Sequence, residues 1–344
     1  MESSIARHLV CPRTRTRRID DDYAPLYPAW SARTAETVSQ VVMGYFGVQS
    51  ANEGGNPRAD AAFNDMRSLF DGADGPNHVD YARFVDGAGA YHRLAIVYWS
   101  APEAFDRWQA RRDVTGWWQS DDRLKDGVGY FREVLKPRIE QFETAYSTPD
   151  HLEGVGVVMG GMSDVIQEHG YWGSMRDRIP LSQTDAMSPS GALARQKPSE
   201  GRIVVSGHKN VAVIRSGQDW TDTADEERRV YLDEIEPTLR AGMEFLRDQG
   251  QAIGCYSNRY VEITDAEGRP IDKSFGVSHW RSLADMERWA ESHPTHLKIF
   301  MTFVELAQNV PSLRLYHEVS VLDAAAQTYE YINCHPGTGL MHNA

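Results

Sequence analysis

The stretch LAIVYWSAPEAFDRWQA, residues 94–110, has a counterpart in FGVSHWRSLADMERWAES, residues 275–292. Aligning Trp99 with Trp280 brings further residues of the same kind into register. The equivalent pairs are Trp108 with Trp289, Arg107 with Arg288, Asp106 with Glu287, and Glu133–Val134 with Glu318–Val319. Because these matches keep the same order along the chain, they indicate an internal duplication.

Each copy is predicted to form a strand, a helix and a second strand. Apolar residues alternate along LAIVYW, which is typical of a half-buried strand. A capping serine followed three residues later by an acid then predicts a helix start at Ser100–Glu103 and again at Ser282–Asp285. The strings GYFREVL and RLYHEVSV follow as second strands, with Arg132 and His317 at equivalent positions.

This pattern predicts an α+β fold of duplicated ferredoxin-like β-α-β repeats, which form a barrel-like sheet core flanked by helices. We expect one domain over residues 1–344, with repeat one at about 36–148 and repeat two at about 202–335. The insert between them, about 149–201, does not follow the repeat pattern. Long irregular inserts in compact domains often act as lids, so we expect this one to fold over a cavity.

Composition excludes several classes of partner. A formal net charge of −13 argues against nucleic acid, whose phosphates require a basic surface. No apolar stretch approaches the length of a transmembrane helix, so no membrane association is expected. The three cysteines, Cys11, Cys255 and Cys334, are an odd number without metal-ligand spacing. That pattern predicts a reduced, cytoplasmic chain.

His296 is the first candidate for a metal-binding residue. Pro294 and Thr295 precede it and suit the beginning of a helix. Helical spacing then places His296, Phe300 and Phe303 on one face. An imidazole beside aromatic side chains is suited to hold haem iron. The alternative is an ordinary polar residue at a helix start, beside two core phenylalanines.

His317 and Ser216 are candidates for groups that handle a substrate. In RLYHEVSV, strand alternation puts His317 on the same face as Leu315 and Val319, so we expect it to point inward. A buried imidazole either makes a structural hydrogen bond or takes part in acid–base chemistry. Ser216 ends an apolar strand and precedes Gly217, where chain and ligand can approach closely. A turn serine is the alternative.

The whole chain resembles the haem-containing aldoxime dehydratases, which convert aldoximes to nitriles. The resemblance rests on long and unusual strings, including VVMGYFGVQ, EQFET, EHGYWGSMRDR, IRSGQDW, GCYSNR, ESHPTHL and RLYHEVSV. It implies a haem b cofactor, ferrous in the active state, with His296 as the axial ligand and Phe300 and Phe303 beside it. It also implies an aldoxime substrate and a homodimer.

The same resemblance assigns four catalytic residues. His317 corresponds to the distal acid–base histidine, and Ser216 to the serine that binds the oxime hydroxyl. Arg178 corresponds to the distal arginine, with Arg176 as the alternative, and Glu143 to a supporting carboxylate. From composition alone, Arg178 and Glu143 would both be surface groups.

Two other functions are compatible with the predicted fold. Haem peroxidases and chlorite-decomposing enzymes share a duplicated ferredoxin-like barrel and an axial histidine, so fold alone does not decide the reaction. A non-catalytic haem carrier or sensor is the third possibility. If His296 does not hold the metal, His169 is the next candidate.

Overall fold

Alternating apolar residues build a twelve-stranded antiparallel sheet in the computed structural model, which describes residues 1–51 and 56–344. The strands are β1 (Val42–Ser50), β2 (His78–Val85), β3 (Tyr91–Trp99), β4 (Gly129–Leu135), β5 (Phe142–Tyr146), β6 (Ala194–Ser199), β7 (Arg202–Ser206), β8 (Val211–Asp219), β9 (Cys255–Thr264), β10 (Pro270–Trp280), β11 (Arg314–Leu322) and β12 (Gln327–Ile332).

Helices pack against this sheet, giving a mixed α and β architecture. They are α1 (Pro57–Ser68), α2 (Pro102–Ala110), α3 (Arg112–Gln119), α4 (Ser174–Arg178), α5 (Asp225–Val230), α6 (Glu236–Gln249), α7 (Leu283–Ser292) and α8 (Pro294–Leu306). Within the described ranges, none of these helices combines the length and apolar character needed to span a bilayer.

The two halves of the sheet have the same internal strand order. β2-β3-β1-β4 in the first half corresponds to β9-β10-β8-β11 in the second, and β2 pairs with β9 where the halves meet. The register also agrees. Trp99 lies opposite Val42 and Trp280 opposite Ala212, so the two tryptophans that the sequence alignment made equivalent occupy equivalent positions.

The predicted barrel was wrong, because the sheet is open. Its edge strands are β5 and β6, and they do not pair with each other in the described part of the chain. The outer strands of the two halves are also exchanged. β5 of the first half pairs with β11, and β12 of the second half pairs with β4. The hairpin β6–β7, which begins in the insert, then extends the sheet beyond β12.

The two faces of the sheet have different partners. On one face, α1–α3 pack around Phe46 and Trp108, and α7 packs around Trp289 and Val319. On the other face, strands of both halves contribute to a shared apolar cluster. Because Val319 and His317 are two residues apart in β11, their side chains share a face. The inward direction predicted for His317 is therefore toward the helices.

Buried charges join the two halves across the shared face. Arg259 of β9 donates from Nη1 and Nη2 to the Glu133 carboxylate of β4 at 2.7 and 2.6 Å. Burial raises the pKa of Glu133, but the charge and hydrogen bonds of Arg259, together with His279 and Tyr331, outweigh burial, and the net pKa is lowered. Nη2 of Arg215 in β8 donates to Oδ2 of Asp80 in β2 at 2.8 Å. Such pairs fix how the halves fit together, because neither charge is tolerated alone.

Replacing Glu133 with Gln should destabilise the fold strongly, because Arg259 would stay charged, buried and unpaired. Removing one partner of a buried ion pair typically costs about 3–5 kcal/mol. Urea denaturation measures the change in the free energy of unfolding. Glu267→Gln is the control, because its partner Arg269 is exposed, and it should leave stability nearly unchanged. Equal stability of the two variants would contradict this role for the Arg259–Glu133 pair.

Candidate active site

His296 lies in the first turn of α8 with one ring nitrogen available. Its Nδ1 donates a hydrogen bond to the carbonyl oxygen of Ala290 at 2.8 Å. Because a carbonyl only accepts, Nδ1 carries the proton and Nε2 keeps its lone pair. Burial lowers the pKa of His296, although the hydrogen bond to Ala290 acts in the opposite direction. The neutral ring is the form that binds a metal.

Aromatic rings surround His296, although the predicted stripe on α8 is divided. Trp289 lies edge-on to the imidazole at 4.6 Å between ring centroids, and Trp172 of the insert lies at 5.9 Å. Trp172 also contacts Phe300, with the ring centroids 5.0 Å apart. Phe303, in contrast, packs partly buried against the cluster of Trp220 and its neighbours. The structure thus brings His296 and Phe300 together with Trp172.

Helix α8 presents an apolar surface that the protein does not bury. None of its residues is buried, and Phe300 and Trp172 are 37% and 40% exposed. An uncovered aromatic surface beside an imidazole lone pair fits a flat, apolar, metal-bearing group, and haem is such a group. His296 would supply the axial nitrogen, and Phe300 and Trp172 the apolar contact.

Ser216 and His317 are brought together by strand register. They are direct partners on β8 and β11, and side chains of directly opposed residues lie on the same face. Ser216 is followed by Gly217 because the ring of Tyr316 fills the space next to it. A Cβ atom at Gly217 would lie 2.1 Å from that ring. The glycine and the tyrosine therefore pack together on the face opposite to Ser216 and His317.

His317 contacts two buried charged residues through one atom. Its Nε2 lies 2.9 Å from Oε1 of Glu143 on β5 and 2.8 Å from Nη2 of Arg178 at the end of α4. Arg178 itself donates from Nε and Nη2 to Glu143 at 2.7 and 3.1 Å. A protonated Nε2 can donate to Glu143, and an unprotonated Nε2 can accept from Arg178. Both protonation states of His317 therefore have a partner.

Glu143 remains ionised despite complete burial of its carboxylate. Burial raises its pKa, but the charge of Arg178 and the adjacent His317 outweigh burial, so the pKa of Glu143 lies below its ordinary value. The second arginine of α4, Arg176, turns elsewhere and binds Glu287 at 2.6 Å. Of the two arginines considered from the sequence, Arg178 is the one that reaches His317.

Two residues of the insert adjoin this group and were not predicted as its members. The backbone oxygen of Glu168 accepts from Nη1 of Arg178 at 2.8 Å. His169 follows it, and burial together with the charges of Arg178 and His317 lowers its pKa to about 4. Its Nε2 is buried without a hydrogen-bond partner among the described residues. The string EHGYWGSMRDR was the available signal, since it carries both residues and Arg178.

Two groups of possible metal ligands lie elsewhere in the described residues: Asp86 with His92 and His335, and His151 with Glu153 and Asp219. In the first group, the backbone N–H of Gly337 donates to Nδ1 of His335 at 3.1 Å. Nε2 of His335 therefore carries the proton and donates to Asp86, which prevents metal binding. In the second group, the Lys273 ammonium already binds both carboxylates. A cleft of about 800 Å³ borders the first group and is lined by neither His296 nor His317.

Comparison with known proteins identifies relatives over the whole chain. Residues 44–340 match the sequence model of the family described as haem-containing dehydratase. The chain is 54% identical to the aliphatic aldoxime dehydratase of Rhodococcus globerulus, over 100% of this chain and 98% of that protein. It is 33% identical to the phenylacetaldoxime dehydratase of Bacillus sp. (strain OxB-1), over 94% of each chain.

Solved structures agree with the sequence relatives. The crystal structure of an aldoxime dehydratase superposes with a TM-score of 0.97 at 52% identity, over 100% of this chain and 99% of that one. A second aldoxime dehydratase, crystallised with butyraldoxime, also gives 0.97, at 53% identity over 100% and 97% of the two chains. The chain described here belongs to the haem-containing dehydratase family.

Proposed function

We propose that this protein is a haem-dependent lyase that dehydrates aldoximes, R–CH=N–OH, to nitriles. The single observation that carries the proposal is the pairing of Ser216 with His317 beside the buried Glu143 and Arg178. This arrangement provides a hydroxyl group and a proton-transferring imidazole on one face. The named activities of the relatives, and the butyraldoxime in one of their crystals, support the substrate class.

The proposed cofactor is haem b, ferrous in the active state, bound through Nε2 of His296. Phe300 and Phe303 lie on α8, the same helix as His296. They would contact the haem or stabilise this helix. When bound, the haem would supply a reduced metal centre with affinity for nitrogen donors and Lewis-acid character. The remaining chemistry is proton transfer and orientation by side chains of this chain.

Ser216 would hydrogen-bond the oxime hydroxyl and fix its orientation toward His317. Nδ1 of His317 makes no hydrogen bond to the described residues, whereas Nε2 is held by Glu143 and Arg178. We propose that Nδ1 gives its proton to the oxime oxygen, so that water departs as the N–O bond breaks. Nδ1 then takes the proton from carbon as the nitrile forms. His317 ends in its starting state, and the reaction R–CH=N–OH → R–C≡N + H₂O is balanced.

Glu143 and Arg178 would control the charge of His317. The ionised Glu143 accepts from Nε2–H and stabilises the positively charged ring. Arg178 keeps Glu143 ionised, so the carboxylate does not take the proton intended for the substrate. Nη2 of Arg178 lies 2.8 Å from Nε2 of His317 and can donate to it when the ring is neutral. The two residues thus provide a partner for the imidazole both as proton donor and as proton acceptor.

The proposed reaction is tested by incubating dithionite-reduced, haem-containing protein with butyraldoxime or phenylacetaldoxime. We expect the nitrile as product and a Soret shift on addition of substrate. A haem peroxidase or chlorite-decomposing enzyme would instead turn over peroxide or chlorite and form no nitrile. A haem carrier or sensor would bind haem with no turnover of any of these compounds. Either result would contradict the proposal.

His317→Ala should lower kcat by about 10²–10⁴, because a positioned acid–base group contributes that much in rate. Haem content should stay at the wild-type level, since His317 is not the proposed axial ligand. Steady-state nitrile formation and the haem spectrum measure the two quantities. His151→Ala is a control on a histidine outside the site. Aldoxime turnover by His317→Ala at the wild-type rate would contradict the proposed mechanism.

His296→Ala should lose bound haem and activity together while keeping the fold. The reason is that Nε2 of His296 is the proposed metal-binding atom, whereas no residue of α8 is buried in the core. Haem-to-protein ratio and far-ultraviolet circular dichroism measure these effects. His293→Ala is a matched control, because His293 caps the same helix yet should leave haem bound. A His296→Ala protein that is active and fully loaded with haem would contradict the assignment. His169 would then be the next candidate for the metal-binding histidine.

We also propose that the two halves are ferredoxin-like repeats within one haem-binding domain of residues 1–344. Their boundaries would be about 36–148 and 202–335, with the insert at 149–201 between them. The equal strand orders and register of the halves support this origin. A homodimer is proposed from the family resemblance. The cysteines of the described residues are unpaired, which supports a cytoplasmic location.

A further inference from the structure

An N-terminal arm, residues 1–33, runs along the insert that carries Arg178. Backbone hydrogen bonds join Glu2 to Val165 and Gln167 at 2.9 and 3.0 Å. Further along, the backbone N–H of Thr14 donates to the carbonyl oxygen of Gln183 at 2.9 Å. The arm therefore contacts the insert on both sides of α4.

The buried carboxylate of Glu168 accepts hydrogen bonds from side-chain and backbone donors of this arm. Glu168 is only 2% exposed. Its Oε2 accepts from the backbone N–H of Ser4 at 2.7 Å, and its Oε1 accepts from Oγ of Ser3 at 3.0 Å. Nη1 of Arg17 lies 3.5 Å from the same Oε1. Because an ionised carboxylate is costly to bury without donors, Glu168 ties the arm and the insert into one unit.

The same residue fixes the distal arginine through its backbone. The carbonyl oxygen of Glu168 accepts from Nη1 of Arg178, while Nε and Nη2 of Arg178 bind Glu143. The guanidinium is planar and rigid, so two anchoring points determine where Nη2 lies. One anchor, Glu143, belongs to the sheet. The other, Glu168, belongs to the insert and is held by the arm.

We propose that Glu168 is a positioning residue of the active site, through which the N-terminal arm holds Arg178 against Nε2 of His317. This inference rests on the proposed function. Glu168 contacts neither of the proposed catalytic groups Ser216 and His317 through its own side chain, so its effect passes through Arg178.

A positioning role has a consequence that general stability does not have. The charged and titratable groups facing His317 are Glu143 from β5, Arg178 from α4 and His169 from the insert. If Arg178 moves away, Nε2 of His317 loses one of the two neighbours that orient the ring, and proton transfer at Nδ1 slows. Ser216, which would bind the oxime hydroxyl, is not affected, so kcat should fall while KM stays nearly unchanged.

The test compares Glu168→Gln with Glu2→Gln in haem-containing protein. The amide introduced by Glu168→Gln keeps the shape of the side chain but removes the charge that holds the arm. Glu2 is the matched control because its carboxylate also joins arm and insert, accepting from Arg33 and from the backbone N–H of Asp164, both at 2.8 Å. Among the described residues, its carboxylate contacts neither Glu168 nor Arg178.

For Glu168→Gln we expect normal haem content, a nearly unchanged KM for butyraldoxime and a kcat lowered about fivefold or more. Hydrogen–deuterium exchange in residues 174–178 should also increase. Glu2→Gln should match the wild type in all of these measurements.

Unchanged exchange in residues 174–178 together with a wild-type kcat in Glu168→Gln would overturn the inference. Equal changes in Glu168→Gln and Glu2→Gln would also overturn it, since they would show a general loosening of the arm. Arg17→Met provides the same test with a smaller perturbation if Glu168→Gln does not fold. Wild-type protein that forms no nitrile would contradict the proposed function instead, and the exchange measurement would still decide the inference.

Discussion

The burial of the Glu143 carboxylate is the constraint on which the site depends. A fully buried negative charge is not tolerated alone, and Arg178 and His317 supply its partners at 2.7 and 2.9 Å. These three residues come from an edge strand, the insert and a strand near the end of the chain. One electrostatic requirement therefore joins segments that are distant in sequence, and it orients the imidazole that the proposed reaction uses.

Strand exchange is what makes this burial possible. β5 follows the first half in sequence but pairs with β11 of the second half, which places Ala145 opposite His317 and Glu143 opposite Val319. The open sheet leaves β5 at its edge, where Arg178 of the insert reaches Glu143. The exchanged strand is therefore part of how the site is formed.

The site divides its tasks between two kinds of element. Helix α8 presents the unprotonated Nε2 of His296, and the paired strands β8 and β11 present Ser216 and His317. Strands hold side chains in fixed register, which suits groups that must meet a substrate in one orientation. Charges fixed beforehand around the reacting group also cost little reorganisation during reaction. The N-terminal arm, acting on Arg178 through Glu168, would extend this preorganisation to the outer layer of the protein.

The sequence by itself determined the features that depend on residues close together in the chain. Apolar alternation indicated the repeated strands, and Ser282 caps α7 as predicted, whereas Ser100 does not cap α2. Helix α8 begins at Pro294, one of the residues that suggested a helix start. The family strings also pointed to Glu143 and Arg178. Only the tertiary structure decided the open sheet, which of Arg176 and Arg178 lies against His317, and the place of Glu168. These features depend on contacts between residues far apart in the chain. Burial and charge pairing between such residues produce no local periodicity in the sequence, so the sequence does not predict them.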